Sequence, residues 1–507
     1  MFALPEADVC LLLEGTYPYV PGGVSSWVHE IVRSLPGQQF SLLHIGPYRG
    51  AYGPPRYELP PNVCGMIEHY LQEEQRELAP REREHLRAEL EKRIRSVRRR
   101  HAGSSRTLAA FARLHLGDAI DDELIDDLAT GDCTVDELLH GDEAFAIITE
   151  VYRACAPTTS FLDFFWSFRS MHVPLVKLLE SEVPRARTYH SVSTGYAGVV
   201  AAVASRRCGR PMLLTEHGIY AREREMELAR ATWIPERTPD PRIPVQTISP
   251  LRRFWSRFFL RLSQIAYRQA SSIVTLSEVN RTKQIADGAA DARIAIIPNG
   301  VDTDQLSQLI GPSTPRATGT PLRVGFVGRV VPIKDVVTFI KAVDMALGDV
   351  PITAEVIGPT EEDSEYAGRC RDLVSTLGRD DEIRFVGPRP VAEIYRNLDV
   401  VVLTSFSEGQ PLVILEAHAA GLPVIATDVG ACREMLEGSA QDAHFGPGGI
   451  VTRVAAHEET AEALVRFARD PGLVRRMGEA GKARVRASYT KAAMIDRYRA
   501  LYDRLVA

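Results

Sequence analysis

Short apolar runs alternate with amphipathic stretches along most of the chain. The run at 8–13 (DVCLLL) is apolar at nearly every position, as a strand covered on both faces requires. A glycine-containing loop and a helix-period stretch over 24–35 follow it, and 40–45 repeats the strand pattern. After Cys64 the rhythm changes, and residues 70–181 predict mostly helix. Within them Leu86, Leu90, Ile94 and Val97 fall on one helical face, while Glu89/Arg93 and Glu91/Arg95 make i,i+4 pairs on the solvated side. The acidic run 118–127 predicts a loop and a short helix.

From 188 the strand–helix alternation resumes. Strands are predicted over 188–191, 211–215, 272–276 and 294–297, with helices over 196–206, over 251–269 and from 277. Residues 235–250 are proline-rich and predict a loop. The run GPSTPRATGTP at 311–321 has linker composition. Beyond it, strands over 322–327, 354–357, 383–386, 400–403 and 423–426 alternate strictly with helices, the pattern of right-handed βαβ units in a parallel sheet.

The expected fold is therefore α/β, with two Rossmann-like doubly wound domains. The N-terminal one spans 1–310 and carries a helical insertion over about 70–181; the C-terminal one spans 311–485. At roughly 150 residues per domain, 507 residues accommodate both. With 45% apolar and 25% charged residues, the composition excludes collagen-like, disordered and coiled-coil classes. A net charge of −6 gives no general pull toward nucleic acid. No apolar run approaches the ~18 residues of a membrane span. The first apolar run follows Glu6 and Asp8 without a basic segment, unlike a signal peptide. Seven scattered cysteines without a CxxC argue against a disulfide framework or zinc site, and for thiols in a reducing cytosol.

Ligands of doubly wound sheets bind beyond the carboxyl ends of the strands, so the residues there are the candidates. Gly22-Gly23 follow the first strand and open a helix; the pair reads first as a tight turn after Pro21, and second as a place where an anion can approach closely. His217 ends a strand in Glu216-His217-Gly218 and can be a structural hydrogen-bonder or a ligand contact. In the C-terminal half, Gly328-Arg329 end a strand and Lys334 precedes a helix. A planar fork beside a point charge suits a diphosphate, the alternative being two solvated charges in a loop. Neither GxxxxGK[ST] nor GxGxxG is present there. The segment Ser407-Glu408-Gly409-Gln410-Pro411-Leu412-Val413-Ile414-Leu415-Glu416 carries two carboxylates across a loop and a helix start, acceptors suited to ligand hydroxyls.

Together, Gly22-Gly23, His217, Pro298-Asn299-Gly300-Val301-Asp302, Gly328-Arg329 with Lys334, and Glu408-x7-Glu416 stand in the order found in GT4-family retaining glycosyltransferases of GT-B fold. The chain resembles that family over nearly its whole length, the helical insertion excepted. Through EGTYPY at 14–19, GGVSSWVH at 22–29 and TEHGIY at 215–220, with the long insertion, it also resembles the glycosyltransferases of Pel-type exopolysaccharide synthesis.

The resemblance implies two domains facing a cleft and a C-terminal helix, within 486–507, crossing back to the first domain. It implies that Arg329 and Lys334 hold the donor diphosphate, Glu416 the ribose and Glu408 the sugar hydroxyls. The backbone of Gly409, Gln410 and Leu412 would help hold phosphate and sugar, and Gly387 and Arg389 would lie along the base. Gly22 and Gly23 would approach from the opposite domain, and His217 would sit beside the anomeric centre. The implied catalytic set is His217, Glu408, Arg329 and Lys334. The implied activity is cytosolic hexosyl transfer from a UDP-sugar to a growing polysaccharide or primer, with retention, without a metal or other cofactor, and beside an inner-membrane synthase complex.

Two alternatives stay open: another nucleotide-sugar enzyme such as a hydrolysing epimerase, and a non-catalytic nucleotide-sugar-binding subunit of a synthase. The stretch 251–269, with Arg253, Arg257 and Arg261 on one row and Phe254, Phe258 and Leu262 on the next, reads first as a core-facing helix with snorkelling arginines, and second as a docking helix. Arg98-Arg99-Arg100 is a further docking candidate.

Overall fold

The computed structural model describes residues 5–72, 105–234, 249–310, 316, 319–439 and 442–506. The predicted helical face of Leu86, Leu90, Ile94 and Val97, the Arg98-Arg99-Arg100 cluster, most of the proline-rich loop and most of the linker lie outside those residues. The chain divides into two compact units, the first of Met1–Thr275, Thr282–Ala295 and Arg499–Ala507, the second of Leu276–Arg281 and Ile296–Tyr498.

Among the described residues, the first unit holds a seven-stranded sheet: β1 (Ala7–Glu14), β2 (Phe40–Gly46), β3 (Val63–Tyr70), β4 (Ala186–Ser191), β5 (Met212–Glu216), β6 (Ser272–Thr275) and β7 (Ile294–Ile296). Their order is β3-β2-β1-β4-β5-β6-β7, and the pairings from β3 through β6 are parallel. The order reverses between β1 and β4, which makes their carboxyl ends the switch point where such sheets bind ligands. β3 and its pairing with β2 were not anticipated: VCGMIEHY lacks both strict alternation and a continuous apolar run, and its residues are only half-buried at the sheet edge.

Helices Arg106–Leu116, Asp122–Thr130, Val135–His140, Asp142–Cys155 and Phe161–Glu180 stand between β3 and β4. They share one core with the sheet: Phe111, Leu114, Phe164, Phe168 and Met171 join Cys10 and Leu12 of β1. Burying apolar area at ~25 cal/mol per Å² makes such a continuous core the main stabiliser of both parts. The acidic run resolves as the expected loop and short helix, with Asp121 capping Leu124 N and Gly131 in the left-handed conformation (φ 60°) closing it. Helix Pro250–Gln269 buries Phe254, Phe258 and Leu262 in the core. Arg261 is buried too, donating to the carbonyls of Gly117 and Asp118 and to Gln264 Oε1, so the basic row is not one solvated stripe.

The last residues of helix Lys491–Val506 pack into the first unit. Tyr502 Oη lies 2.7 Å from His190 Nδ1 on β4, and Gln38 Nε2 donates to Asp503.

The second unit holds β8 (Leu322–Val327), β9 (Ile352–Ile357), β10 (Ile383–Phe385), β11 (Val400–Leu403), β12 (Val424–Thr427) and β13 (Gly449–Thr452) in the order β10-β9-β8-β11-β12-β13, all parallel. Alternation decides the layers. Val400 and Val402 enter one apolar cluster with Val324, Phe339 and Leu464, whereas Val401 and Leu403 enter the other with Leu415 and Met435. Helices thus cover both faces, and the switch point falls between β8 and β11. β13 escaped prediction because four residues after a glycine-rich turn carry little pattern. No helix of the described residues is long and apolar enough to cross a membrane.

Candidate active site

The loops leaving β8 and β11 meet over the switch point of the second unit. Phe406 N donates to Ile333 O (2.8 Å), and Thr404 Oγ1 donates to the carbonyls of Asp335 (2.8 Å) and Lys334 (3.2 Å). Lys334 closes a short 3-10 turn, after which Asp335 caps helix Val336–Leu347 through Thr338 N. This lacing sets Lys334 Nζ 2.6 Å from Glu408 Oε1, and Ser405 Oγ donates to the same oxygen at 2.6 Å. The pair is mostly buried, with side-chain exposures of 21% and 10%. A charge-assisted bond of this length in a partly dry setting fixes both groups. Glu408 Oε2 takes no hydrogen bond among the described residues, so its acceptor capacity is intact.

Arg329 does not join that pair. Its guanidinium holds both oxygens of Glu362, at 2.6 and 2.7 Å, in an exposed setting. Glu416 sits in helix Leu412–Ala419 and accepts from Tyr395 Oη at 2.6 Å; burial raises its pKa above the usual carboxylate range. Leu412 opens that helix behind Pro411 and packs on the apolar cluster. Gly409 O accepts from Ala431 N (2.9 Å), and Gln410 is buried with Oε1 accepting from Asn299 N (2.6 Å).

Gly387 adopts φ +70° and its carbonyl accepts from Gly358 N, while Arg389 Nη1 lies 3.4 Å from Glu355. Gly358 is a steric necessity: at φ +148°, a Cβ there would stand 2.0 Å from Gly328 O. The second unit therefore gathers Lys334, Glu408, Gly409 and Gln410 tightly. It puts Arg329, Gly387, Arg389 and Glu416 on neighbouring strand-end loops and helices, each with its own partner.

The first unit places the remaining candidates. The ends of β1, β2, β4 and β5 line a cavity of about 520 Å³, with Glu14, Tyr52, Ser193, His217, Tyr220 and Arg224 in its wall. Glu14 accepts from Ala197 N (3.2 Å) and Tyr220 Oη (3.2 Å), and burial raises its pKa. Glu216, at the end of β5, is almost fully buried and accepts four bonds: from Thr194 Oγ1, Tyr220 N, Tyr267 Oη and Gln284 Nε2. It ties four elements together and orients the strand end that carries His217. The His217 ring lies edge-on to Trp27, with centroids 4.7 Å apart. Its Nε2 is enclosed without a hydrogen-bond partner among the described residues, and burial lowers its pKa to about 4, so it is neutral at pH 7.

Gly22 caps helix Gly23–Ser34 with extended backbone, and a Cβ at either glycine would meet nothing within 4 Å. Neither local packing nor backbone angle demands glycine there, so the tight-turn account explains neither residue.

Sequence reasoning missed Glu362, Tyr395, Ser405 and Glu216 as partners. Glu216 carried a signal, a carboxylate directly after the apolar strand run Met212-Leu213-Leu214. The partnership of Arg329 with Glu362 is set by the fold and had none.

Two parallel doubly wound sheets of these orders make the GT-B architecture of glycosyltransferases. By structure the chain resembles Anabaena Alr3699/HepE in complex with UDP and glucose (TM-score 0.56, 16% identity, 98% of this chain and 100% of that one). It also resembles sucrose-phosphate synthase from Thermosynechococcus elongatus (TM-score 0.58, 16% identity, 98% and 99%). Residues 7–292, more than half of the chain, match the family described as Domain of unknown function (DUF3492), and the protein belongs to that family. Residues 321–470 match Glycosyl transferases group 1. Among curated relatives, a D-inositol 3-phosphate glycosyltransferase of Kribbella flavida is 33% identical over 205 residues, 38% of this chain and 47% of that protein. The chain spans about half the length of the curated relatives it matches.

Proposed function

We propose that this protein is a retaining, GT4-type glycosyltransferase resembling PelF, which transfers a hexosyl unit from a UDP-sugar to a growing Pel-type exopolysaccharide or its primer. The observation that carries the reading is the Lys334–Glu408 pair over the β8/β11 switch point, within the segment matching group 1 glycosyltransferases. Departure of a nucleoside diphosphate builds negative charge on its β-phosphate. A lysine already fixed there stabilises that charge most in the transition state, without reorganisation. Arg329 adds a second cation once a diphosphate competes with exposed Glu362. These cations, rather than a resident metal, balance the leaving group.

The free oxygen of Glu408 accepts from donor-sugar hydroxyls, and the half-buried carboxylate of Glu416 accepts from the ribose. The open backbone of Gly22 and Gly23 leaves room for a phosphate or acceptor, and neutral His217 offers a ring nitrogen to a sugar hydroxyl. The acceptor oxygen attacks on the face the diphosphate leaves, through an oxocarbenium-like state, which gives retention. The protein acts on the cytoplasmic side, beside an inner-membrane synthase that supplies the membrane passage.

A thermal-shift screen of UDP, GDP, ADP and UDP-hexoses tests this. A ligand at 100 times its Kd stabilises by about 2.7 kcal/mol, so UDP and one UDP-hexose should raise Tm by several degrees. A shift with GDP or ADP alone sinks the uridine assignment, and no shift with any nucleotide sinks the proposal.

A further inference from the structure

We infer that Gln410 is a positioning residue that fastens the donor loop to the segment by which the chain enters the second unit. This rests on the glycosyltransferase reading for its catalytic consequence but not for the linkage itself. Gln410 follows Glu408 and Gly409 in the loop that carries the Lys334 partner, yet its side chain turns inward and is only 6% exposed. Its Oε1 accepts from the backbone N–H of Asn299 at 2.6 Å. An N–H donor can be met only by the amide oxygen, so the orientation of the amide is fixed. Among the described residues Gln410 Nε2 finds no partner, and neither does Asn299 Oδ1. One acceptor oxygen therefore performs the whole task of this side chain.

What it grips is a clamped piece of chain. Asn299 lies three residues after Ile296, where the second unit resumes. Val301 N donates to Tyr489 O and Lys491 N donates to Val301 O, both at 3.0 Å, and Lys491 Nζ lies 3.4 Å from Asp302. A Cβ on Gly300 would come within 2.4 Å of the Thr490 backbone, so the two stretches touch main chain to main chain. Residues 299–302 and 489–491 thus form one bundle, and the last helix continues from it to Arg499, where the chain rejoins the first unit. On its other side the donor loop is held by Gly409 O accepting from Ala431 N. Beside the shared apolar cluster of Val301, Tyr489 and Leu412, the Gln410 bond is a directed link between the crossing bundle and the loop that carries Glu408. A buried bond of this kind, once lost, leaves the Asn299 N–H unsatisfied and frees the loop.

The test compares Gln410→Met, which keeps the volume and removes the acceptor, with Gln410→Glu, which keeps an acceptor oxygen. Hydrogen exchange on the unliganded protein should show residues 296–302 and 404–412 losing protection together in Gln410→Met, by tenfold or more, with Gln410→Glu close to wild type. With the UDP-hexose that gives the largest thermal shift, kcat should fall tenfold or more in Gln410→Met and UDP affinity should weaken with it, and Gln410→Glu should restore most of both. Unchanged exchange in either segment of Gln410→Met, or a Gln410→Glu protein as impaired as Gln410→Met, overturns the inference. Should Gln410→Met fail to fold, the wild-type Asn299 amide decides: slow exchange retained in Gln410→Glu supports the bond, and fast exchange in wild type refutes it. Absence of nucleotide binding by the wild type would refute the functional reading and leave the exchange result to judge the linkage.

Discussion

Removing the Lys334 ammonium tests the heart of the site. In Lys334→Ala the 2.6 Å bond to Glu408 is lost, and among the described residues Glu408 keeps only Ser405 as a donor. Two costs follow and they separate. A fully exposed pair contributes less than about 1 kcal/mol and a fully buried one 3–5 when broken, so a pair with exposures of 21% and 10% should cost about 1–2 kcal/mol of stability. In a unit of this size that lowers Tm by a few degrees and leaves the protein folded. The catalytic cost is larger. Loss of one preorganised donor at a developing charge costs about 3 kcal/mol, or roughly a hundredfold in kcat. UDP release from the UDP-hexose, followed by a coupled assay, reads kcat and KM, and circular dichroism checks the fold. Lys334→Arg keeps the charge and should retain more turnover than the alanine variant. Turnover within threefold of wild type in folded Lys334→Ala would refute the assignment of this lysine to the leaving diphosphate.

The remaining expectations concern the scaffold. Gly430 has φ +53°, and a Cβ there would stand 2.1 Å from Glu408 O and 2.5 Å from Gly409 O. Gly430→Ala should therefore cost about 2 kcal/mol or more in urea unfolding and weaken UDP binding, whereas Gly446→Ala, at φ +82° with nothing within 4 Å, bears only the backbone term. His217 sets a pH dependence. Its folded pKa of about 4 lies below the unfolded value near 6.5, so the unfolded chain takes up a proton that the native state refuses. The stability it confers is present above pH 6.5 and lost as pH falls toward 4, by about 3 kcal/mol over the window. His190 and His172 are lowered by burial too, so the informative quantity is the difference between wild type and His217→Gln at pH 7 and 4.5. Equal losses in the two proteins would contradict it.

The layers of this fold were legible because burial writes itself into periodicity. Both-face burial made 8–13, 322–327 and 400–403 read as strands, and Val400 to Leu403 do alternate between two cores. The same logic failed at β3, whose half-buried edge residues never had to become apolar, and at β13, too short to express a period. The insertion read as helical, but its fusion with the sheet core, where Phe111 and Phe168 share one cluster with Cys10 and Leu12, spans long sequence distances that no local pattern encodes.

The site shows the same division with a sharper edge. Residue types at strand ends made Lys334, Glu408 and His217 candidates, because doubly wound sheets bind their ligands there. Their partners could not be read, since an ion pair is a property of two loops in space. Lys334 and Glu408 are 74 residues apart and meet only because β8 and β11 are sheet neighbours. Arg329, five residues before Lys334, meets Glu362 instead, on the far side of the β9 turn. The two cations that sequence groups as one diphosphate grip are therefore prepared differently. Lys334 is fixed in advance by a mostly buried carboxylate, and Arg329 is held by an exposed one that a ligand can displace. Since preorganised charge stabilises a transition state more than charge recruited on binding, kcat should depend mainly on Lys334, and Arg329 should weigh more on the affinity for the diphosphate.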